Sequence, residues 1–112
     1  MGKLSRDKGK VGEREVAQIL REQGFGEARR GVQYSGGPGS PDVVGLPHVH
    51  LEVKRTERLN LYGALAQAID EAAAGETPVV VHRSSRRDWV AILPLDKYLE
   101  LYKAAHGIDT KF

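Results

Sequence analysis

The stretch PDVVGLPHVHLEVK, residues 41–54, predicts two neighbouring strands joined by a short turn around Pro47. The second strand alternates between apolar and polar residues, so that His50, Glu52 and Lys54 share one of its faces. Side chains two residues apart on a strand project side by side. The stretch therefore predicts a β-hairpin whose polar face carries a carboxylate beside a lysine.

A hairpin centred near Pro47 brings Asp42 opposite Glu52, with Cβ atoms about 4.5–5.5 Å apart. Two carboxylates this close repel each other unless a cation lies between them, and Mg²⁺ prefers such oxygen ligands. We predict that Asp42 and Glu52 bind the metal, with the backbone carbonyl of Val53 able to contribute. Lys54 can then orient or deprotonate a water, or balance the charge of a phosphate. The alternative for Glu52 and Lys54 is an ordinary surface ion pair.

The segments around this hairpin predict an α/β (α+β) fold with a mixed central β-sheet flanked by helices. In the order α-βββ-α-ββ-α, we predict a helix over 10–24, strands over 29–34, 42–46 and 49–55, a helix over 60–74, strands over 78–82 and 89–93, and a helix over 96–105. Residues 1–9 predict a flexible basic arm, and residues 10–112 a single domain.

The middle helix is predicted to begin at the N-cap Asn60. Its apolar stripe is predicted from the spacing of Leu61, Leu65, Ile69 and Ala72. Glycines at 24, 75 and 107 are predicted to end the three helices.

Composition excludes several classes of protein. The 112 residues suffice for one compact domain, and the absence of cysteine excludes disulfides, a thiol nucleophile and cysteine-ligated zinc. No apolar run is long enough to span a bilayer, and the N-terminus lacks a secretory signal. We therefore predict an intracellular, cytoplasmic protein, which for a phage-encoded chain means action in the host cell.

Basic residues are unevenly distributed, although the net charge is only +2. The pI of about 9.0 and the basic clusters indicate a polyanionic partner; the alternative is a solvated basic surface. The candidate phosphate contacts are Lys8, Lys10, Arg14, Arg29 and Arg30, with Arg83, Arg86 and Arg87 at a predicted hairpin tip.

Glu13 shares a helix face with Val16, Ala17 and Leu20, the face predicted to pack on the domain. An unpaired carboxylate is costly there. Glu13 is therefore a candidate third acid of the site and a further candidate metal ligand. The alternative is a salt bridge to Arg14, Arg29 or Arg30.

Four motifs occur in order over residues 8–90: the run KGKVGERE at 8–15, Arg-Arg-Gly at 29–31, Gly-Ser-Pro-Asp at 39–42 and Glu-Val-Lys at 52–54. Together they resemble the PD-(D/E)XK nuclease superfamily, which has a restriction-endonuclease-like core. Within it they are most similar to the archaeal-type Holliday junction resolvases and their phage relatives.

The resemblance implies a homodimer that cuts four-way DNA junctions with Mg²⁺, for which Mn²⁺ can substitute. The residues at the positions of the family's active site are Glu13, Asp42, Glu52 and Lys54. The resemblance also implies phosphate handling by Arg14, Arg30 and Ser40, and a DNA-binding role for Gln67.

Other residues are assigned less specific roles. His48 and His50 flank Val49, but no third metal ligand has suitable spacing, so both are predicted to be solvent or hairpin-edge histidines. Tyr34 and Trp89 could stack on bases, or pack in the core or a dimer contact. A self-contact surface is predicted from Leu61, Tyr62, Leu65 and Trp89.

Three functional hypotheses remain open. The first is a junction-selective endonuclease. The second is a restriction-type or repair nuclease of the same fold that acts on duplex or flapped DNA. The third is a non-catalytic DNA-binding module, which would not need the set of acids plus lysine.

Overall fold

The computed structural model describes residues 3–31 and 41–108, with side chains from residue 9 onward. The elements in chain order are α1 (Lys3–Glu22), β1 (Arg29–Arg30), β2 (Val43–Val44), β3 (Val49–Arg55), α2 (Leu61–Glu71), β4 (Thr77–Arg83), β5 (Val90–Ile92) and α3 (Leu95–His106). The strands form one sheet in the order β1-β2-β3-β4-β5, in which β3 and β4 are parallel and the other pairs antiparallel. The predicted α/β (α+β) fold with a mixed central sheet is confirmed, and it is consistent with a restriction-endonuclease-like core.

The β2–β3 hairpin has the predicted register. Val43 pairs with Leu51, and the preceding residue, Asp42, lies near enough to Glu52 for each carboxyl group to affect the pKa of the other. The turn contains Gly45 at a φ of 100°, where a Cβ atom would lie 2.5 Å from the Cα of Ala28. Glycine is therefore required at this position both by the backbone conformation and by the close approach of the chain.

Helix α1 covers the apolar face of the hairpin strand. Val16 and Ala17 pack there with Val43, Leu51 and Val53 in the larger core cluster. The approach is close because residue 12 is glycine. A Cβ at that position would lie 2.9 Å from the Cβ of Arg55 and 3.4 Å from Cη2 of Trp89.

Helix α2 is the crossover that connects the parallel strands β3 and β4 and covers the opposite face of the sheet. The Asn60 side chain caps it by accepting a hydrogen bond from Gly63 N at 3.1 Å, as predicted. The buried side of α2 consists of Ala64 and Ala68, which pack against Val80. Small side chains allow the helix to lie close to the strands.

The apolar stripe predicted for α2 is wrong. Leu61 and Ile69 are 37% and 51% exposed, whereas Leu65 is partly buried against the smaller core cluster. The helix is rotated so that Ala64 and Ala68 face Val80 of β4, because their small side chains allow a closer approach to the sheet than leucines would.

Of the two terminal helices, α1 differs from the prediction and α3 agrees with it. Helix α1 begins at Lys3 and not at residue 10, so residues 3–9 of the predicted flexible arm are helical. Helix α3 agrees with the prediction and ends at Gly107, which adopts the left-handed conformation with a φ of 65°. None of the twelve residues of α3, all of which the structure describes, is buried. None of the described helices has the length and apolar character needed to cross a membrane.

Two predicted features fall partly or wholly outside the described residues. The predicted strand 29–34 is seen as β1, and its residues 32–34, including Tyr34, are not described. Ser40 and the side chain of Lys8 also lie outside the described part of the chain.

Candidate active site

Asp42 is fixed at the end of β2 by three hydrogen bonds. Its backbone N–H donates to Leu51 O at 2.9 Å, and its backbone carbonyl accepts from Gly31 N at 2.8 Å. Its side-chain Oδ2 accepts from Val53 N at 2.8 Å. Because the N–H and C=O of a strand residue point the same way, the carbonyl of Val53 lies on the side of β3 that carries Asp42. The backbone thus brings the three predicted metal-binding groups together.

Glu52 is the buried centre of the site, with a side chain only 2% exposed. Burial, a hydrogen bond to Glu71 and the charge of Asp42 raise its pKa from 4.5 to about 9. Burial also raises the pKa of Asp42. These carboxyl groups have lost much of their water without gaining an equivalent cation, which is the electrostatic environment that a bound divalent ion would relieve.

His50 is completely buried beside Glu52, and the prediction that it is a solvent or hairpin-edge histidine is wrong. Its Nε2 lies 2.8 Å from Oε1 of Glu52 and 3.7 Å from Oε1 of Glu71. His50, Glu52 and Glu71 each offer one donor atom, and these atoms lie within 4.8 Å of one another. This His/Glu cluster could bind a metal ion. His48, by contrast, is exposed in the hairpin turn, as predicted.

Glu71 was not identified from the sequence, although a signal for it exists. Ala64, Ala68 and Glu71 are spaced at i, i+4 and i+7, which gives them one helix face, and that face is the one that α2 buries. A hydrogen bond from the Glu52 carboxyl group lowers the pKa of Glu71. The third ligand that seemed to be missing for His50 therefore comes from the crossover helix.

Lys54 lies at the half-exposed end of the same strand face. Its Nζ donates to Oε1 of Gln67 on α2 at 3.3 Å, and Gln67 is hydrogen-bonded in turn to Glu71. A continuous row of polar side chains therefore runs from Lys54 through Gln67, Glu71 and Glu52 to His50. The assignment of Gln67 to DNA binding stays a prediction; in this structure Gln67 supports Lys54.

Glu13 forms the salt bridge that was the alternative to a metal-site role. Its Oε1 accepts a hydrogen bond from Nε of Arg30 at 2.8 Å, and the two side chains are 19% and 35% exposed. The carboxylate is therefore paired, which removes the argument that an unpaired buried charge needs a metal. Its place in the active site remains a prediction from the family resemblance.

The predicted phosphate-binding residues fall into two groups. Arg83 is half-buried and donates from Nη1 to Oε1 of Glu15 at 3.2 Å, so it holds β4 to α1. The exposed members are Lys10, Arg14, Arg29, Arg86 and Arg87. Arg86 lies in the β4–β5 turn with a φ of 64°. Trp89 is partly buried against the larger core cluster, which favours its packing role over base stacking.

The family model described as archaeal Holliday junction resolvase (Hjc) matches residues 4–110, nearly the whole chain. The comparisons with curated proteins and with solved structures gave no match.

Proposed function

The chain belongs to the archaeal Holliday junction resolvase family, part of the PD-(D/E)XK nuclease superfamily, and we propose that it is a divalent-metal-dependent endonuclease that cuts four-way DNA junctions. The observation that carries this proposal is that Asp42, whose Oδ2 accepts a hydrogen bond from Val53 N, lies close enough to Glu52 to raise its pKa, with Lys54 on the same strand face as Glu52. A nuclease needs acidic groups for a cation beside a positive group for phosphate. A DNA-binding module does not.

The groups available for a cation fit a hard divalent ion. Asp42, Glu52 and the carbonyl of Val53 would hold it, and their oxygen-only chemistry favours Mg²⁺, with Mn²⁺ as a substitute. When bound, the ion supplies positive charge that offsets the charge of the scissile phosphodiester. Burial raises the pKa of both Asp42 and Glu52, and a bound cation would favour the charged form of each carboxyl group, which supports this assignment.

Lys54 is suited to contact the scissile phosphate. Its ammonium group is at the accessible end of the site and keeps free donors after its single bond to Gln67. Gln67 holds the flexible lysine stem near Glu52, which reduces the entropy lost when the lysine meets the phosphate. The exposed Lys10, Arg14, Arg29, Arg86 and Arg87 would contact flanking phosphates without reading bases, so affinity should fall steeply with salt.

A second copy of the chain is the proposed partner. Resolution of a junction needs two matched cuts, and one chain of this size carries one such site. Helix α3 carries an unpartnered apolar stripe at i, i+3, i+4 and i+7 that consists of Leu95, Tyr98, Leu99 and Tyr102, each at least 42% exposed.

The chain also carries a second apolar surface, against which the α3 stripe of another copy could pack. Between α1 and the sheet lies a wholly apolar cavity of about 250 Å³, lined in part by Ile19, Val81 and Trp89. Ile19, at the edge of this cavity, is 40% exposed, so one copy offers an apolar edge of α1 as well as the apolar stripe of α3, which favours self-association. Of the surface predicted earlier, Tyr62 is 80% exposed, whereas Leu65 is partly buried against the core cluster under α2.

The proposed reaction is tested with end-labelled four-way junction, flap, duplex and single-stranded DNA of shared sequence. With Mg²⁺ we expect paired cuts in the junction, no cutting in EDTA, and loss of cutting in Asp42→Asn. Asp70→Asn is the matched control, because Asp70 is an exposed aspartate of α2 outside the site. Preferential cutting of duplex or flap would favour a repair or restriction-type nuclease, and tight junction binding without any cutting would favour a binding module.

Assembly is tested by analytical ultracentrifugation at micromolar concentration. We expect twice the monomer mass of 12.3 kDa. Leu99→Asp should convert the dimer to monomer, whereas Ala104→Asp introduces the same charge on the opposite side of α3 and should not. A wild-type monomer that makes paired cuts would overturn the dimer proposal.

A further inference from the structure

We propose that His50, Glu52 and Glu71 form a second cation position that accepts a divalent transition-metal ion such as Mn²⁺, beside the oxygen-only position formed by Asp42, Glu52 and the Val53 carbonyl. Because the two positions share Glu52, the inference rests on the proposed function to that extent and no further. Strand β3 would then contribute to two ion positions, one that favours Mg²⁺ and one that favours a transition-metal ion.

The three donor atoms have the spacing of ligands around one ion. Ligands of a transition metal with bonds of about 2.0–2.2 Å lie within about 4.4 Å of each other. His50 Nε2 lies 2.8 Å from Glu52 Oε1 and 3.7 Å from Glu71 Oε1, and the three donor atoms lie within 4.8 Å of one another. A small adjustment of Glu71, the most exposed of the three at 20%, would complete the site.

The second nitrogen of His50 gives independent support. Its Nδ1 is buried and has no hydrogen-bond partner among the described residues, which is uncommon for a buried polar atom. It lies 3.9 Å from Oε1 of Glu76, and Glu76 is held by accepting from Ala73 N at 2.8 Å. Metal-binding histidines usually direct their other N–H to a carboxylate.

A simple ion pair between His50 and Glu52 explains less. It accounts for the 2.8 Å contact but not for a second carboxylate near Nε2 or for a third near the unbonded Nδ1. An ion on Nε2 would fix the proton on Nδ1, where Glu76 can accept it after a small shift. Glu52, Glu71 and Glu76 would then surround a positive charge.

The chemistry of the donors separates the two positions. Imidazole nitrogen is a good ligand for first-row transition metals, whereas Mg²⁺ is held almost entirely by oxygen. We therefore expect Mg²⁺ to avoid the position with His50 and Mn²⁺ to occupy it. Glu71, like His50, is a ligand of this position and not of the oxygen-only position. Loss of Glu71 should therefore weaken this position alone.

The test is pulsed electron paramagnetic resonance of Mn²⁺ bound to the protein without DNA. We expect nitrogen modulation from a coordinated imidazole in wild type and in Asp42→Asn, and its loss in His50→Gln. Because His50 is buried and its replacement could disturb folding, Glu71→Gln is the second variant. At subsaturating Mn²⁺ it should reduce the nitrogen modulation, because the position beside His50 fills less readily, while Mg²⁺ affinity is unchanged. Asp70→Asn, one residue earlier on α2, is the control.

Two results would overturn the second position. One is saturating Mn²⁺ on folded wild-type protein without nitrogen modulation. The other is equal nitrogen modulation at the same subsaturating Mn²⁺ in Glu71→Gln and Asp70→Asn. Neither readout involves cleavage, so failure to cut junction DNA would count against the proposed function and not against this metal site.

Discussion

Replacing Asp42 by asparagine should stabilise the metal-free protein while abolishing its activity. The amide oxygen can still accept the hydrogen bond from Val53 N, so the β2–β3 hairpin is retained. The amide group can also donate to Glu52, which now lies beside a neutral group in place of a carboxylate. If Asp42 were a structural carboxylate, its replacement would lower the free energy of unfolding, because contacts would be lost and no repulsion relieved.

The size of the effect follows from the cross-strand distance. Two unit charges about 5 Å apart at an effective dielectric constant of about 20 repel by about 3 kcal/mol. Glu52 avoids part of this cost by binding a proton, since its pKa is raised to about 9. An amide is also a weaker acceptor than a carboxylate by about 1 kcal/mol. We therefore expect a net gain of about 1–2 kcal/mol, or about 4–8 °C in Tm for a chain of this length.

The assay is thermal unfolding followed by circular dichroism at pH 7.5, in EDTA and then in Mg²⁺. In EDTA the variant should melt above wild type. Ligand binding stabilises a folded protein by about 2.7 kcal/mol at a hundredfold excess over Kd, so saturating Mg²⁺ should raise the Tm of wild type alone. The order of the two melting temperatures should therefore reverse when Mg²⁺ is added.

The control is Asp70→Asn, which should follow wild type in both conditions. A fall of more than about 5 °C in the Tm of metal-free Asp42→Asn would refute the reasoning, because it would make Asp42 a structural ion-pair partner with a net stabilising charge. An equal Mg²⁺ response in both proteins would remove Asp42 from the metal site.

Three further predictions concern neighbouring residues. Lys54→Ala should reduce cleavage by about 10²–10⁴-fold yet leave Mg²⁺ affinity within about twofold by calorimetry, since lysine is no cation ligand; a large loss of affinity would contradict this. Glu13→Gln should lower the free energy of unfolding in urea by about 1 kcal/mol or less, because it weakens the pair with Arg30. Glu27→Gln is the control. A Glu13→Gln variant more stable than the control would show that the Glu13 carboxylate destabilises the fold. The folded state holds a proton on Glu52 up to a pKa of about 9, above the ordinary 4.5. Metal-free stability should therefore fall as pH rises from 6 to 9, and Glu52→Gln should flatten that profile; a flat wild-type profile would count against the raised pKa.

The hairpin could be predicted from the sequence because its determinants are local. Alternation along residues 49–55 and the turn around Pro47 fix which side chains face each other, and the register Val43 to Leu51 follows from them. The cap at Asn60 and the end of α3 at Gly107 depend on residues within one turn of the helix. Each of these features needs only neighbouring residues.

The surroundings of Glu52 could not be predicted in the same way. Which face of α2 is buried depends on how closely the helix approaches β4, where Ala64 and Ala68 pack against Val80, so the leucine spacing predicted the wrong stripe. His50 and Glu71 are 21 residues apart (71 − 50) and meet only because the crossover helix returns over β3. For Glu13 the sequence predicts both the packed face and the candidate partners Arg14, Arg29 and Arg30, but the choice of Arg30 depends on how β1 pairs with β2.

Strand β3 passes from a dry interior to solvent over a few residues. His50 and Glu52 are 0% and 1% exposed, and Lys54, about 7 Å beyond Glu52, is half-exposed. If the proposed function is correct, a phosphodiester that contacts Lys54 would lie at the solvent end of this strand face, and an ion bound at Glu52 would lie at its dry end. We therefore expect a bound ion to exchange more slowly when DNA is bound than when it is absent. The direction of a single strand would then influence the order in which metal and nucleic acid bind.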